Sequence, residues 1–343
     1  MPDRVLTQRE LNRALLARQL LLARGRMTIP KALERIGGIQ AQYAPSMYIG
    51  LWSRLEDLER DAVTRALERR TAIQGTLMRA TIHLVSRADY WPFAVGIRAE
   101  QRRWWERVHR NADPGELRAA AKKVRRFLAG GPRRAKEIEA LVGREAALGV
   151  GIYANLVRVP PSGTWERRRA DLYGLAEDWV GHEEVTAHEG VERLIRRYLS
   201  GFGPAPRTDI ADWAALPVRE IGAALERIEL RRFRSEDGRE LVDLPRAPLP
   251  DPEMPAPPRF LPVWDATLLV HARRTLILPE EYRPRVFNVK TPHSVNTFLV
   301  DGQVAGTWRY EKERIHVEPF GRLPQGTRRE LDEEAERLAE FHA

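Results

Sequence analysis

The chain has no cysteine, and this absence excludes disulfide bonds, thiolate catalysis and cysteine-ligated zinc sites at once. No apolar run approaches the ~20 residues that a membrane-spanning helix needs. The eight histidines do not cluster at metal-ligand spacings, and the opening MPDRVLTQRE has no basic region followed by an apolar stretch. No Walker sequence, dinucleotide fingerprint or nucleophile elbow is present. We therefore expect a soluble, cytoplasmic protein that uses neither a metal nor a cofactor.

Lysine is scarce, with six among the 57 basic residues, so arginine carries almost all of the positive charge behind the net +9. A basic surface attracts phosphate groups, and the guanidinium group adds bidentate hydrogen bonding and stacking. A genome rich in G and C would also enrich a chain in arginine and alanine. The charge therefore makes nucleic acid a leading candidate partner without deciding the question.

The first third of the chain shows helical and then β-rich patterns, in the order of a winged helix. Leucines at helical spacing follow a capping-box pattern at Thr7 and Glu10, and a second helix ends at the Gly37-Gly38 pair. The segments PSMYIGLWSRL and LEDLERDAVTRALERR predict two further helices, and TAIQGTLMR with ATIHLVS predicts a hairpin. Helices followed by a hairpin form a winged helix, which is common in DNA-binding proteins.

The same order of patterns recurs twice, so we predict three tandem winged helices. In the third copy, the Asp237-Gly238 pair marks the turn of a wing. No repeat is visible residue by residue, so the similarity is architectural. The fold class is mainly α with β, an α+β fold. The predicted boundaries are residues 1–112, 113–182 and 183–246 for the winged helices and 247–343 for a C-terminal β region with a terminal helix.

The C-terminal part begins with a proline-dense segment over residues 245–262, which predicts a semi-rigid connector rather than a packed element. Four strand-like segments follow: VWDATLLVHARRTLILP, RVFNVKTP, SVNTFLVDGQVAGTWRY and RIHVEPF. The Asp301-Gly302 pair predicts a hairpin turn within the third of them. The tail TRRELDEEAERLAEFH predicts a charged surface helix that packs through Leu331 and Leu338.

Two glutamines, Gln40 and Gln42, stand between a Gly-Gly pair and Pro45 in the segment GGIQAQYAP. The glycines end the preceding helix and Pro45 disfavours helical geometry at the residue before it, so we expect residues 39–43 to be extended. In an extended segment the two carboxamides share one side. They could form a small polar site, or they could cap helix ends and bond to loop backbone. Spacing alone favours the structural role.

Other chemically capable side chains are isolated in the sequence. His83 lies on a predicted strand, where a lone histidine more often has a structural role than a catalytic one. Asp265 is a candidate buried carboxylate, again with a structural role favoured. In IRAEQRRWWERVHR, arginines alternate with tryptophans, a pattern that suits phosphate contact beside an aromatic anchor and equally an amphipathic helix with tryptophans in the core. The residues concerned are Arg98, Arg102, Arg103, Trp104 and Trp105.

Three segments, GGIQAQYAPS, RATIHLVSRAD and FLVDGQVAGTWR, carry a resemblance to a known family. In this order they resemble the winged-helix DNA glycosylases of the AlkZ and YcaQ type, and the resemblance covers nearly the whole chain. It implies three tandem winged helices with a C-terminal β region. It also implies that Gln40-Ala41-Gln42 is the catalytic element and is of the AlkZ type, because the YcaQ type has an aspartate at the third position.

The resemblance implies hydrolysis of the N-glycosidic bond of cationic purines alkylated at N7 or N3 in double-stranded DNA. Bulky adducts and interstrand crosslinks are included, in DNA repair or genotoxin self-resistance. Gln40 and Gln42 would position a water against C1′ and stabilise an oxocarbenium-like state. No lysine is required as a Schiff-base nucleophile, so we expect a monofunctional enzyme. We also expect it to be a monomer and to act on the bacterial nucleoid. The candidate DNA contacts are Arg79, His83, Arg98, Arg102, Arg103, Lys290, His293 and Asn296.

A non-catalytic winged-helix DNA-binding protein, such as a transcriptional regulator, is the alternative from another class. Regulators usually carry one such module and dimerise on two half-sites, whereas this chain predicts three modules and has no heptad repeat. An RNA-binding protein ranks lower because no RNA-binding module is recognisable.

Overall fold

A winged helix occupies the first part of the computed structural model, which describes residues 4–109, 113–269, 274–287 and 294–343. Its elements are β1 (Val5–Leu6), α1 (Gln8–Arg18), α2 (Ile29–Ile36), β2 (Ile39–Gln40), α3 (Ala44–Trp52), α4 (Arg60–Glu68), β3 (Ala72–Thr76), β4 (Ile82–Ser86) and α5 (Arg87–Val108). Thr7 and Glu10 form the predicted capping box of α1. Helix α2 ends at Gly37, whose φ of +82° is a left-handed conformation that glycine adopts without strain.

The second winged helix has the predicted order of helices, strand, loop and strand. Its elements are α6 (Pro114–Leu128), β5 (Arg133–Arg134), α7 (Ala135–Val142), α8 (Arg144–Gly149), α9 (Gly151–Ala154), β6 (Leu156–Arg158), β7 (Leu172–Leu175) and α10 (Ala176–Val180). The Asp113 side chain caps α6 by accepting a hydrogen bond of 2.7 Å from the Gly115 N–H. Pro114 occupies the first turn of α6, where its missing N–H costs nothing.

Strands of the first two winged helices form one six-stranded sheet rather than two separate wings. The strand order is β2-β4-β3-β6-β7-β5, and each neighbouring pair is antiparallel. Within it, β3 and β4 form the predicted hairpin, with Thr76 opposite Ile82. On its other side β3 pairs with β6, and Gln74 lies opposite Arg158. The sheet therefore crosses the predicted boundary at residue 112.

The third winged helix packs its first helix closely against α5 of the first winged helix. Its elements are α11 (Ala187–Phe202), α12 (Arg207–Ala214), α13 (Val218–Leu225), β8 (Arg231–Ser235) and β9 (Glu240–Asp243). A Cβ on Gly190 of α11 would lie 2.5 Å from the carbonyl oxygen of Pro92 in α5, so glycine permits this close approach. β8 also pairs with β1 in parallel, and Gly238 has a φ of +79° in the predicted wing turn.

The C-terminal part is a four-stranded antiparallel sheet followed by a helix. Its elements are β10 (Arg259–Leu261), α14 (Arg283–Val286), β11 (Thr297–Val300), β12 (Gln303–Glu311), β13 (Arg314–Pro319) and α15 (Gln325–His342). The sheet order is β10-β11-β12-β13, with the predicted Asp301-Gly302 turn between β11 and β12. Leu331 and Leu338 of α15 are fully buried, as predicted.

Two predictions for this part of the chain are wrong. The described residues of VWDATLLVHARRTLILP form turns, not a strand. In RVFNVKTP, Arg285 and Val286 belong to the short α14, Phe287 forms an isolated antiparallel bridge with Ser294, and residues 288–292 lie outside the described residues. Asp265 causes part of the difference, because its side chain accepts a hydrogen bond of 3.0 Å from the Thr267 N–H and so favours a turn. The segment 245–262 is not a connector throughout, since its last residues form β10, in which Phe260 and Leu261 are fully buried.

The C-terminal sheet packs against α3, the helix that follows the glutamine segment. Phe260, Phe298 and Trp308 belong to the same buried cluster as the inner side of α3. At the far end of α3, the Arg54 guanidinium forms a buried ion pair with Asp265, with both N–O distances at 2.9 Å. The C-terminal region thus fixes the position of α3.

The fold class is confirmed: the molecule is a mixed α+β protein with three winged helices in tandem, a C-terminal β region and a terminal helix. Within the described ranges, no helix is long and apolar enough to cross a membrane.

Candidate active site

The glutamine segment lies at the edge of the six-stranded sheet, between α2 and α3. Gly37 and Gly38 both have positive φ angles and turn the chain from α2 into β2. β2 pairs with β4, and Gln40 lies opposite His83. The strand ends at Gln40, sooner than the sequence predicts, and α3 already begins at Ala44, the residue before the proline.

Gln42 is exposed, and its carboxamide is held by the sheet edge. Its Oε1 accepts a hydrogen bond of 2.8 Å from the Ile82 N–H, while the Ala41 N–H donates to the Ile82 carbonyl at 2.7 Å. The chain leaves the sheet after Ala41, so the side chain supplies the acceptor that a next strand residue would have offered. Because an N–H can only donate, the amide oxygen must face Ile82. Among the described residues, the NH₂ group of Gln42 has no hydrogen-bond partner.

Gln40 is buried and faces an arginine. Its Oε1 lies 3.4 Å from a guanidinium nitrogen of Arg79, which also donates a hydrogen bond to the backbone carbonyl of Trp213 in α12. Arg79 has a φ of +54°, and burial lowers its pKa to about 10. No carboxylate within the described ranges forms an ion pair with it. Arg79 therefore points inward, linking the third winged helix to the glutamine segment.

His83 is buried beside this arginine. Its Nδ1 lies 3.1 Å from the Thr81 carbonyl oxygen. Burial and the charge of Arg79 lower the pKa of His83 to about 3, so the ring is neutral at physiological pH. With 3% of its surface exposed, His83 is not placed to meet a phosphate, and this position disagrees with the DNA contact that the sequence suggests.

The three arginines of α5 that the sequence analysis names as DNA contacts divide between the interior and the surface. Arg98 is half-buried and donates a hydrogen bond of 3.3 Å to the Asn155 side chain, and the Arg102 guanidinium lies 4.6 Å from the centre of the Tyr153 ring. Arg103 is exposed but forms ion pairs with Glu100 and Glu220, at 2.7 and 3.0 Å. The tryptophans divide in the same way: Trp105 is buried and Trp104 is 39% exposed.

Of the three candidates near the C-terminal hairpin, Asn296 is the one that the structure describes. Lys290 and His293 lie outside the described residues. Asn296 is half-buried, and its side-chain oxygen accepts a hydrogen bond of 2.9 Å from the Val263 N–H, which is a structural contact.

The sequence does not predict the contact between Tyr43 and Arg168, which lies beside Gln42. Tyr43, the next residue, is 41% exposed, and its hydroxyl accepts a hydrogen bond of 3.0 Å from Arg168 in the β6–β7 loop. The signal was present as the run ERRRAD, which reads as an ordinary solvated charge cluster until the fold places it beside the glutamines.

A cavity of about 310 Å³ adjoins Arg79 and is lined by residues of the first and third winged helices. Its lining residues are Arg79, Ala80, Glu100, Gln101, Trp104, Arg107 and Ala215. In the parts of the chain that the structure describes, no group of three or more histidine, aspartate or glutamate side chains could hold a metal ion.

Comparison with known proteins gives the family. A family model for AlkZ-like DNA glycosylases matches residues 33–341. The chain belongs to the AlkZ-like DNA glycosylase family. The fold is similar to that of the Streptomyces sahachiroi DNA glycosylase AlkZ, with a TM-score of 0.82 and 18% sequence identity over 98% of this chain and 97% of that one. No curated protein sequence matches the chain. For this AlkZ-like glycosylase, the family match thus agrees with the resemblance that the three sequence segments carry.

Proposed function

We propose that this protein hydrolyses the N-glycosidic bond of cationic purines alkylated at N7 or N3 in double-stranded DNA. Bulky adducts and interstrand crosslinks would be among its substrates, in DNA repair or genotoxin self-resistance. Membership of the AlkZ-like DNA glycosylase family supports the reaction class. The observation that carries the proposal is the exposed carboxamide of Gln42, held by the Ile82 N–H at 2.8 Å.

A cationic substrate suits a site without a general acid. When the bond between C1′ and the purine nitrogen breaks, its electron pair neutralises the positive charge of the purine, so the leaving group needs no proton. Water then adds to C1′ and releases one proton to solvent. His83, neutral and buried, is not available as an acid, and the two glutamines carry no titratable proton. The chemistry therefore depends on positioning and electrostatics.

The two amides would divide this work. A carbonyl oxygen has two lone pairs, so Gln42 can accept from Ile82 and still accept from a water molecule. The hydrogen bond to Ile82 fixes the rotation of the carboxamide, which reduces the entropy lost when that water is positioned. Gln40 faces Arg79 with its oxygen, and its NH₂ group remains a donor for the water or the deoxyribose.

We also propose a monofunctional enzyme that acts as a monomer on nucleoid DNA in the cytoplasm. A lyase step would need an amine close to C1′. Lys31, a lysine of the first winged helix, pairs with Glu34 on α2 at 2.9 Å, and no lysine of the described ranges contacts either glutamine.

The test is single-turnover excision from duplexes that carry N7-methylguanine, a nitrogen-mustard crosslink or an intercalator–guanine adduct. We expect free modified base and an abasic site from the unmodified protein. Gln42→Ala should slow release by about 100-fold, which corresponds to about 2.7 kcal/mol of transition-state stabilisation. Its affinity for DNA should stay within about twofold, because no charge is removed. Gln325→Ala removes an exposed amide at the start of α15 and should change neither quantity.

Because Gln42→Ala also leaves the Ile82 N–H without its acceptor, thermal unfolding is measured alongside. Gln42→Glu keeps an acceptor for the Ile82 N–H. Comparing its excision rate with that of Gln42→Ala therefore separates loss of the amide from loss of this hydrogen bond. Normal excision by Gln42→Ala would make the amide purely structural. Intact DNA with all three lesions, despite tight binding, would favour the alternative of a non-catalytic DNA-binding protein.

A further inference from the structure

We infer that Arg167 and Arg168, in the β6–β7 loop of the second winged helix, bind backbone phosphates of the DNA strand that reaches Gln42. This inference rests on the proposed function, since it assigns the strand contact next to the proposed active site. The partner is double-stranded DNA, recognised through its phosphates and not through its bases.

The loop is held in one shape by internal hydrogen bonds. The buried Ser162 hydroxyl donates to the Arg169 carbonyl and accepts from the N–H groups of Asp171 and Leu172, at 2.7 and 3.1 Å. Gly163 has a φ of +74°, and its N–H donates to the Arg167 carbonyl at 2.8 Å. The arginines are therefore presented by an ordered turn, so little backbone entropy is lost when they bind a ligand.

The loop is also anchored on the first winged helix. Trp165 is 8% exposed, and its ring packs edge-on against Tyr48 of α3 at 5.6 Å between ring centres. At the base of the loop, Gln74 of β3 donates a hydrogen bond of 3.0 Å to the Gly163 carbonyl. These contacts fix the loop against both α3 and the six-stranded sheet.

Arg168 reaches the residue that follows Gln42. It donates a hydrogen bond of 3.0 Å to the Tyr43 hydroxyl, and consecutive Cα atoms lie about 3.8 Å apart, so Tyr43 and Gln42 are immediate neighbours. The guanidinium lies 5.9 Å from the centre of the Tyr43 ring. Tyr43 thus holds Arg168 at the rim of the proposed active site and adds an exposed aromatic surface.

The charges of Arg167 and Arg168 are not neutralised by the protein. Both side chains are exposed, and no carboxylate of the described ranges forms an ion pair with either, whereas Arg169 pairs with Asp171 at 3.2 Å. Arg103 differs from them, because two glutamates already neutralise its charge. Unpaired, exposed guanidinium groups on an ordered loop are suited to phosphate oxygens, which accept bidentate hydrogen bonds from arginine.

The experiment measures the binding of undamaged duplex DNA at several salt concentrations, so it does not depend on excision. Each phosphate contact contributes about 0.9 to the slope of log Kobs against log salt, so Arg167→Gln/Arg168→Gln should reduce that slope by about 1.8. Arg246→Gln/Arg322→Gln removes the same charge from two exposed arginines that form no ion pair within the described part of the chain, and should leave the slope unchanged.

An unchanged slope in the Arg167→Gln/Arg168→Gln protein, or an equal loss in the control, would overturn the inference. Thermal unfolding of both variants checks that the loop substitution leaves the fold intact. If the slope falls as expected but no lesion is excised by the unmodified protein, the phosphate contact stands and the proposed function fails. If excision occurs and the slope does not change, only the phosphate contact fails.

Discussion

Removing the Asp265 carboxylate should lower stability strongly without acting on the chemistry. Asp265 accepts two hydrogen bonds of 2.9 Å from Arg54 and one of 2.8 Å from the Thr267 hydroxyl. The side chains of Arg54 and Asp265 are only 2% and 3% exposed. In Asp265→Ala, Arg54 would remain charged and buried without its counter-ion. Water cannot readily replace the carboxylate, because the site is buried. Breaking a buried pair in this way costs about 3–5 kcal/mol.

That free energy converts into a measurable shift. At about 2.1 cal/mol/K per residue, a chain of 343 residues has an unfolding entropy of about 0.7 kcal/mol/K. A loss of 3–5 kcal/mol then lowers the Tm by about 4–7 °C, provided that the three winged helices unfold together. Differential scanning calorimetry measures both the shift and that cooperativity.

The control is Asp332→Ala on the surface of α15. Asp332 is 55% exposed in its side chain and pairs with Arg328 at 3.4 Å, so its removal should cost less than about 1 kcal/mol. A Tm for Asp265→Ala within about 1 °C of the unmodified protein would refute the reasoning. A folded Asp265→Ala protein that has lost excision well below its Tm would place Asp265 in the reaction, against the structural role argued here.

Two further predictions concern His83 and Arg79, which lie next to Gln40. The pKa of His83 is depressed to about 3 in the folded state against about 6.5 unfolded, so the unfolded chain binds the extra proton first as the pH falls. Stability should decline below pH 6.5, by about 1.4 kcal/mol for each pH unit down to about 3, and urea unfolding of His83→Gln should lack this component. Arg79→Met should slow excision by about tenfold with duplex affinity within about twofold, because its guanidinium faces Gln40 and the Trp213 carbonyl. A lower salt slope in Arg79→Met would instead place Arg79 on a phosphate.

Local signals predicted most of the secondary structure. The Thr7 cap, the glycines after α2 and the Asp-Gly turns act within a few residues of one another, so they can be recognised in the sequence. Pairings between distant segments could not be found in this way. Neither the parallel contact of β1 with β8 nor the pairing of β3 with β6 has a sequence signature, because each depends on how the whole chain folds.

The sequence supplies the residues of the candidate site, whose catalytic role stays a prediction, but it does not supply their geometry. Spacing alone favours a structural role for Gln40 and Gln42, whereas the family resemblance favours a catalytic one. The hydrogen bond from the Ile82 N–H to Gln42 is a structural contact with the backbone, and it also orients the amide. The structural role and the catalytic role are therefore compatible. Charge spacing could not separate paired from unpaired arginines, because the glutamate that neutralises Arg103 from α13 lies more than a hundred residues away.

The six-stranded sheet has a consequence for any attempt to divide the protein. A fragment ending at residue 112 would lose β6 and uncover the edge of β3 at Gln74 and Gly75, in a strand with four buried residues among its five. Uncovered edges of this kind pair with other chains and promote aggregation. Cutting between the first two winged helices therefore leaves an unpaired strand edge in each fragment. The two motifs have to be produced together in one fragment.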